Sequence, residues 1–234
     1  MKASISSIET FGTVDGPGIR TVVFFNKCHL RCIYCHNPEM WCKGEDNMTV
    51  QELVDKILKN KDYFGETGGV TFSGGEPLLH CDFIIEVSKI LKSHNIHIAL
   101  DTAGVGIGNY ENILKYIDLI ILDIKHTTIE GFKRITGMST KEHEKFIETA
   151  NKLKKKFWIR QVIVPGIMDN DDYLLSLKEY IKKIKNIERI EFLPYHKLGQ
   201  EKYIKLGIPY PCENINEMDK KECERLYNKF VNML

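Results

Sequence analysis

Six short runs rich in apolar and β-branched residues recur along the chain, each separated from the next by an amphipathic stretch. This alternation constrains the fold more than any other feature. The runs are RTVVFF (20–25), GVTFS (69–73), IHIALD (96–101), DLIILDIK (118–125), FWIRQVIVP (157–165) and RIEFLP (189–194). They are near-continuous rather than alternating, as expected of parallel strands buried on both faces. Parallel neighbours need crossovers, which are right-handed almost without exception. The expected class is therefore α/β, either a partial (β/α)6 barrel of parallel strands with outer helices or a doubly wound open sheet. With 234 residues, 43% of them hydrophobic, and no linker, repeat or low-complexity segment, the chain reads as one domain spanning 1–234.

The intervening stretches have helical period. TVQELVDKILKN opens with Thr49 and Glu52 at capping-box spacing and carries Leu53, Val54, Ile57 and Leu58 on one stripe. DFIIEVSKILKSH begins at Asp82 as an expected N-cap. STKEHEKFIETANKLKKK and DDYLLSLKEYIKKIK repeat the pattern, and a C-terminal helix places Leu226, Tyr227, Phe230, Val231 and Leu234 on one face. The basic runs LKKKFW and YIKKIK read as solvated helix faces.

What favours the barrel is where the unusual residues fall. In β/α barrels functional groups gather at the C-terminal ends of the strands. Just past the six runs stand Cys28-x3-Cys32-x2-Cys35, then Ser73-Gly74-Gly75-Glu76-Pro77, Asp101-Thr102, Asp123-Ile124-Lys125, Val164-Pro165-Gly166 and Pro194-Tyr195-His196. Any one could be a turn; six together describe a site at one rim.

Charge excludes some functions. With 33 basic and 32 acidic residues the formal net charge is +1, which offers little attraction to nucleic acid or to a membrane surface. No apolar run approaches the roughly 20 residues needed to span a bilayer. The N-terminus lacks an apolar core followed by a cleavage site, so a cytoplasmic location is expected.

Seven cysteines, three of them too close together to pair, suit a reducing compartment and metal ligation. Three thiolates leave a metal incompletely held. Zinc wants four ligands, and His36, adjacent to Cys35, is poorly spaced to be the fourth. Thiolates also hold iron–sulfur clusters, and three on a four-iron cluster leave one iron open. Both metals stay open on spacing alone. Of the other cysteines, Cys223 falls on the apolar face of the last helix and reads as packed core. Cys42, Cys81 and Cys212 form no further motif.

The Cys28-x3-Cys32-x2-Cys35 motif, with Tyr34 before its last cysteine, resembles that of the radical S-adenosylmethionine enzymes, and SGGEPLL (73–79) resembles their Gly-Gly-Glu motif. GTVDGPGIRTVVFF (12–25), YCHNPEMW (34–41), LDIK (122–125), IRQVIVPG (159–166) and LPYHKLG (193–199) resemble one subgroup, the activating enzymes of pyruvate formate-lyase. The resemblance covers essentially the whole chain in order. It implies a 4Fe-4S cluster on Cys28, Cys32 and Cys35, with S-adenosyl-L-methionine chelating the open iron. Reductive cleavage of that cofactor would yield methionine and a 5′-deoxyadenosyl radical, which abstracts a glycine Cα hydrogen from pyruvate formate-lyase. Other glycyl-radical enzymes as the target, and a non-catalytic zinc module, are the alternatives.

The same resemblance implies roles residue by residue. Lys125 joins the cysteines at the catalytic centre. Tyr34, His36, Gly74, Gly75, Glu76, Asp123, Ile124, Lys125 and His196 bind the cofactor, with Tyr34 and His36 lining the adenine pocket and Glu76 near the methionyl ammonium. The paired glycines let backbone approach the methionyl group. Asp101, Thr102, Ile121 and Asp123 surround a monovalent cation, which would relieve the repulsion between the two carboxylates. Asp15, in the glycine-rich TVDGPGIR stretch, meets the partner's glycine loop. Flavodoxin or ferredoxin supplies the electron, and the chain acts as a monomer. Only Lys43 to Met48 separate the cysteine segment from the next helix, so the extra ferredoxin-like insert of many related activases is absent.

Overall fold

The computed structural model describes residues 1–42 and 44–234. Strands β1 (Ile5–Gly12), β2 (Arg20–Phe25), β3 (Gly69–Gly74), β4 (His97–Thr102), β5 (Leu119–Asp123), β6 (Lys156–Ile163) and β7 (Ile187–Pro194) form one sheet whose spatial order follows chain order. β1 is antiparallel to β2, whereas β2 to β7 are all parallel. A doubly wound sheet reverses its order partway; this one does not. The six expected runs are the six parallel strands, and their arrangement is the partial barrel.

β1 carries no strand signal in the sequence. ISSIETFG is polar at four of its eight positions, and as an edge strand it buries only Ile5 fully. A second, two-stranded pairing joins Lys2–Ala3 to Met48–Thr49 and leads into the first helix.

Helices α1 (Val50–Leu58), α2 (Cys81–Ser93), α3 (Tyr110–Leu114), α4 (Ile129–Thr136), α5 (Lys141–Lys152), α6 (Asp171–Ile181), α7 (Gln200–Leu206) and α8 (Lys220–Val231) make up the helical part. The capping box of α1 is present: Thr49 Oγ1 accepts from Glu52 N, and the Glu52 carboxylate accepts from Thr49 N. Asp82 does not cap α2. A 3-10 turn over Pro77–His80 runs straight into the helix, so His80 precedes it and Asp82 lies in the first turn, where its charge still complements the dipole. α8 buries Cys223, Leu226 and Phe230, but Val231 and Leu234 are 42% and 60% exposed because the helix ends at Val231. None of the described helices is long and apolar enough to cross a membrane.

The loop from β1 to β2 is held from below by a fully buried arginine. Arg20 donates to Thr71 Oγ1 (2.7 Å), Val70 O (2.6 Å) and Pro17 O (2.8 Å), and Thr71 Oγ1 donates onward to Asp15 O (2.6 Å). Its cation is solvated by carbonyls instead of by a carboxylate, and burial lowers its pKa to about 10. Asp15 is thereby carried toward the interior of the barrel.

Phe230→Ala removes a fully buried ring and is expected to cost about 3–5 kcal/mol, whereas Leu234→Ala stays within about 0.5 kcal/mol. Urea midpoints measured at constant slope check both values.

Candidate active site

A cavity of about 490 Å³ opens where the parallel strands end, and its lining draws on nearly every strand-end segment singled out in the sequence. Cys28, Cys32, Tyr34, Cys35 and His36 come from the loop after β2. Gly74 and Gly75 follow β3, Asp101 and Thr102 end β4, Asp123 and Lys125 close β5, and His196 follows β7.

The cysteine loop is built by backbone pairing. Cys35 N donates to Cys32 O (3.0 Å), while Arg31 N and Ile33 N donate to Thr136 O (2.7 Å) and Ile135 O (3.0 Å) at the end of α4. Leu30 and Cys32 pack with Ala103, Val105 and Phe132 beneath it. All seven cysteines are free. Cys42 is exposed and outside the cavity; Cys81, Cys212 and Cys223 are buried elsewhere.

The glycines after β3 answer first to a neighbouring strand. Gly74 has φ +115°, and a Cβ there would lie 2.3 Å from Phe25 N; one on Gly75 would lie 2.3 Å from Lys27 O. Gly75 N donates to Phe25 O (2.8 Å) and Glu76 N to Lys27 O (2.9 Å), so the ends of β2 and β3 are drawn together with no room for side chains. The bare backbone of both glycines also forms one wall of the cavity.

Glu76 lies outside the lining. Its carboxylate is fully buried and accepts from Thr102 Oγ1, from Ala103 N (3.0 Å) and from Leu78 N (3.2 Å). Burial pushes its pKa up to about 7, against these hydrogen bonds. The side chains of Ile121 and Ile124 are likewise buried away from the cavity, and Ile124 N donates to Arg160 O (2.9 Å).

Two charged pairs face the cavity. Lys125 Nζ bonds Asp123 Oδ2 at 2.7 Å and lies 5.9 Å from the centre of the Tyr34 ring. Burial works against the Lys125 cation, but Asp123, together with Tyr34 and Cys32, more than offsets it and raises its pKa. Asp101 accepts from Ser73 Oγ at 2.6 Å, with Arg160 Nη1 at 3.7 Å; burial raises its pKa to about 6 in spite of that cation. Arg160 is the residue that motif reading missed. From β6 it bonds Glu191 (3.1 Å), Asp15 (3.5 Å) and the carbonyl of Val14, joining the glycine-rich loop to the cavity wall. Asp101 and Asp123 thus sit beside protein cations, and a monovalent cation there would be an addition to them. Asp15 reaches Arg160 but not the lining.

The rings of His36 and His196 stack at 3.9 Å with 15° between planes, and His36 Nε2 donates to His196 O (3.0 Å). Tyr34 Oη and His196 Nδ1 are buried with no partner among the described residues. Ser73, Asn37 and Trp41 complete the polar lining; they lie inside the SGGEPLL and YCHNPEMW stretches, but motif reading does not single them out as site residues.

Among the described residues no three His, Cys, Asp or Glu side chains converge on a single metal ion, as a closed zinc site requires. The three thiols instead share one cavity of a size usual for small ligands. Burial pushes Cys28 and Cys32 up, Cys32 to about 12, so thiolates here need a strong cation beside them. An iron–sulfur cluster supplies it, and the unpaired Tyr34 and His196 atoms suit a polar cofactor next to it. The residues fit both groups.

The comparisons agree with this geometry. Residues 22–189 match the family model described as the Radical SAM superfamily. A pyruvate formate-lyase-activating enzyme of Clostridium pasteurianum is 50% identical over 95% of this chain and 94% of its own length. One from Staphylococcus epidermidis is 40% identical over 99% and 96%. Among solved structures, SuiB of Streptococcus suis bound to its precursor peptide superposes with TM-score 0.68 at 16% identity, over 91% of this chain and 46% of SuiB. A domain of a pyruvate-formate lyase-activating enzyme from Bacteroides vulgatus gives 0.55 at 20%, over 70% of this chain and 95% of that one. At such identities these structures speak for the fold.

A carboxyl whose pKa is raised by folding keeps its proton while the unfolded chain has already released it. Stability in protein free of cofactor therefore falls as pH rises from 4.5 through 7, by on the order of 3 kcal/mol for Glu76. Glu76→Gln is expected to remove that slope, so its deficit against wild type shrinks across the window. Thermal unfolding over a pH series checks it, and a pH-independent difference would contradict a buried ionisable Glu76.

Proposed function

This chain belongs to the radical SAM superfamily and, within it, to the pyruvate formate-lyase-activating enzymes, and from that premise we propose that it installs a glycyl radical on pyruvate formate-lyase. The observation that carries the reading is the meeting of Cys28, Cys32 and Cys35 with Lys125, His36, His196 and the Gly74–Gly75 backbone around one cavity. The cysteines hold a 4Fe-4S cluster with one open iron. When bound, the cluster and S-adenosyl-L-methionine together supply a carbon-centred radical that takes a hydrogen atom from a glycine Cα of the partner.

The chain's own groups bind, orient and shield. Asp123 fixes Lys125, whose ammonium offers a charge-assisted hydrogen bond to a cofactor carboxylate. The stacked His36 and His196 rings and Tyr34 present flat faces for an adenine. The Gly74–Gly75 backbone lines the methionyl end, and Glu76 acts from behind it, fixing the Thr102–Ala103 turn. Asp101, Thr102, Ile121 and Asp123 remain the place for a monovalent cation. The target is glycine for a physical reason: its bare Cα admits close approach, and the flanking amides delocalise the radical.

Asp15, which pairs with Arg160, meets the partner's loop in this reading. Flavodoxin or ferredoxin is the electron donor, the protein works as a cytoplasmic monomer, and residues 1–234 act as one domain. Reduced, reconstituted protein mixed anaerobically with S-adenosyl-L-methionine and pyruvate formate-lyase is expected to give a glycyl-radical doublet by electron paramagnetic resonance. Cys32→Ala is expected to abolish the doublet. Cofactor cleavage surviving in that variant would sink the assignment.

A further inference from the structure

We infer that the outer wall of the cysteine loop is a docking surface for an acidic one-electron carrier protein, with Lys27, Arg31, Lys133 and Arg134 as its contact charges. The inference rests on the function proposed above, which draws one electron per turnover from outside the chain. That electron leaves the reduced carrier and is gained on this side, with no proton or group moving alongside it.

The cysteine loop has two faces. Leu30 and Cys32 are buried, while His29 and Arg31 beside them are exposed, so alternate residues turn to the cavity side and to solvent. The Arg31 guanidinium donates to Cys28 O (2.7 Å) and Leu30 O (2.8 Å) and lies 4.9 Å from the centre of the Trp41 ring. A fixed cation therefore covers the segment that carries the first cysteine. Through Arg31 N and Thr136 O the wall continues into the last turn of α4, where Lys133 and Arg134 are exposed.

None of these four cations forms an ion pair with a described residue, although the surface elsewhere is rich in such pairs. Near the cysteine loop Lys202 is neutralised by Glu39 at 2.5 Å, whereas no described carboxylate pairs with Arg31, Lys133 or Arg134. Lys27 adds a second observation. It holds φ +78°, a left-handed conformation that glycine or asparagine adopts more easily, yet a lysine stands there directly before Cys28. Unpaired cations clustered beside a buried redox ligand steer a negatively charged protein and set its docking register.

The test titrates the cluster-reconstituted protein with an acidic flavodoxin and, in parallel, an acidic ferredoxin, reading affinity by calorimetry across a salt series. Lys133→Glu/Arg134→Glu is expected to weaken binding of the carrier about tenfold or more at low salt and to flatten the salt dependence. Lys133→Gln/Arg134→Gln is expected to lose less, in the same direction. Reduction of the cluster by dithionite, which needs no docking, is expected to be unchanged in the Glu pair. Lys154→Glu/Lys185→Glu, on the basic groove at the strand starts, serves as the control reversal. The inference is overturned if neither carrier binds wild type, if the α4 reversal leaves affinity unchanged, or if the control weakens binding as much. Failure of dithionite-reduced protein to cleave S-adenosyl-L-methionine would instead count against the proposed function, with the binding data left to judge the surface.

Discussion

The arrangement depends on one buried carboxylate and the two glycines before it. Glu76 N donates to Lys27 O, and its carboxylate accepts from Thr102 and Ala103, so a single residue after β3 ties the ends of β2 and β4 to its own. Neighbouring parallel strands hold each other in register along their length, but nothing in a ladder controls where the chain goes once the strands stop. Here the close approach that Gly74 and Gly75 permit aligns the cysteine loop with the next strand end. An ionisable group at such a place is costly to bury, and its three donors offset only part of that cost.

Electrostatics then sort the cavity. Lys125 with Asp123 occupies one part, and Asp101 with Arg160 another. Among the residues that line the cavity, Asp101 and Asp123 are matched one for one by Lys125 and Arg160. The loop that carries Asp15 is anchored at both ends of this system, by Arg20 below and Arg160 above.

Much of this is legible in the sequence. Most parallel strands stand out as apolar runs because burial on both faces favours apolar residues, though Arg20 and Arg160 are buried exceptions and β7 has no fully buried residue. The cysteine spacing is local, and so is the Thr49–Glu52 box, so both survive translation into structure. What was hidden is what depends on distant partners. β1 is an edge strand, exposed enough to read as coil. Arg160 looks like one polar residue in a strand, and nothing near it foretells Asp15, 145 positions away. Glu76 was placed by its motif beside the cofactor, but whether a carboxylate turns into a cavity or behind it is decided by the donors waiting there, and those lie on β4 and its turn.

Transfer of the hydrogen atom itself is the most direct test of the account. Pyruvate formate-lyase prepared with Cα-dideuterated glycine would be mixed with the reduced protein and S-adenosyl-L-methionine, and the 5′-deoxyadenosine released would be weighed by mass spectrometry. The account predicts one deuterium in that product. Unlabelled 5′-deoxyadenosine, formed in the partner's presence, would show that the radical made in this cavity does not reach a glycine, and would contradict it.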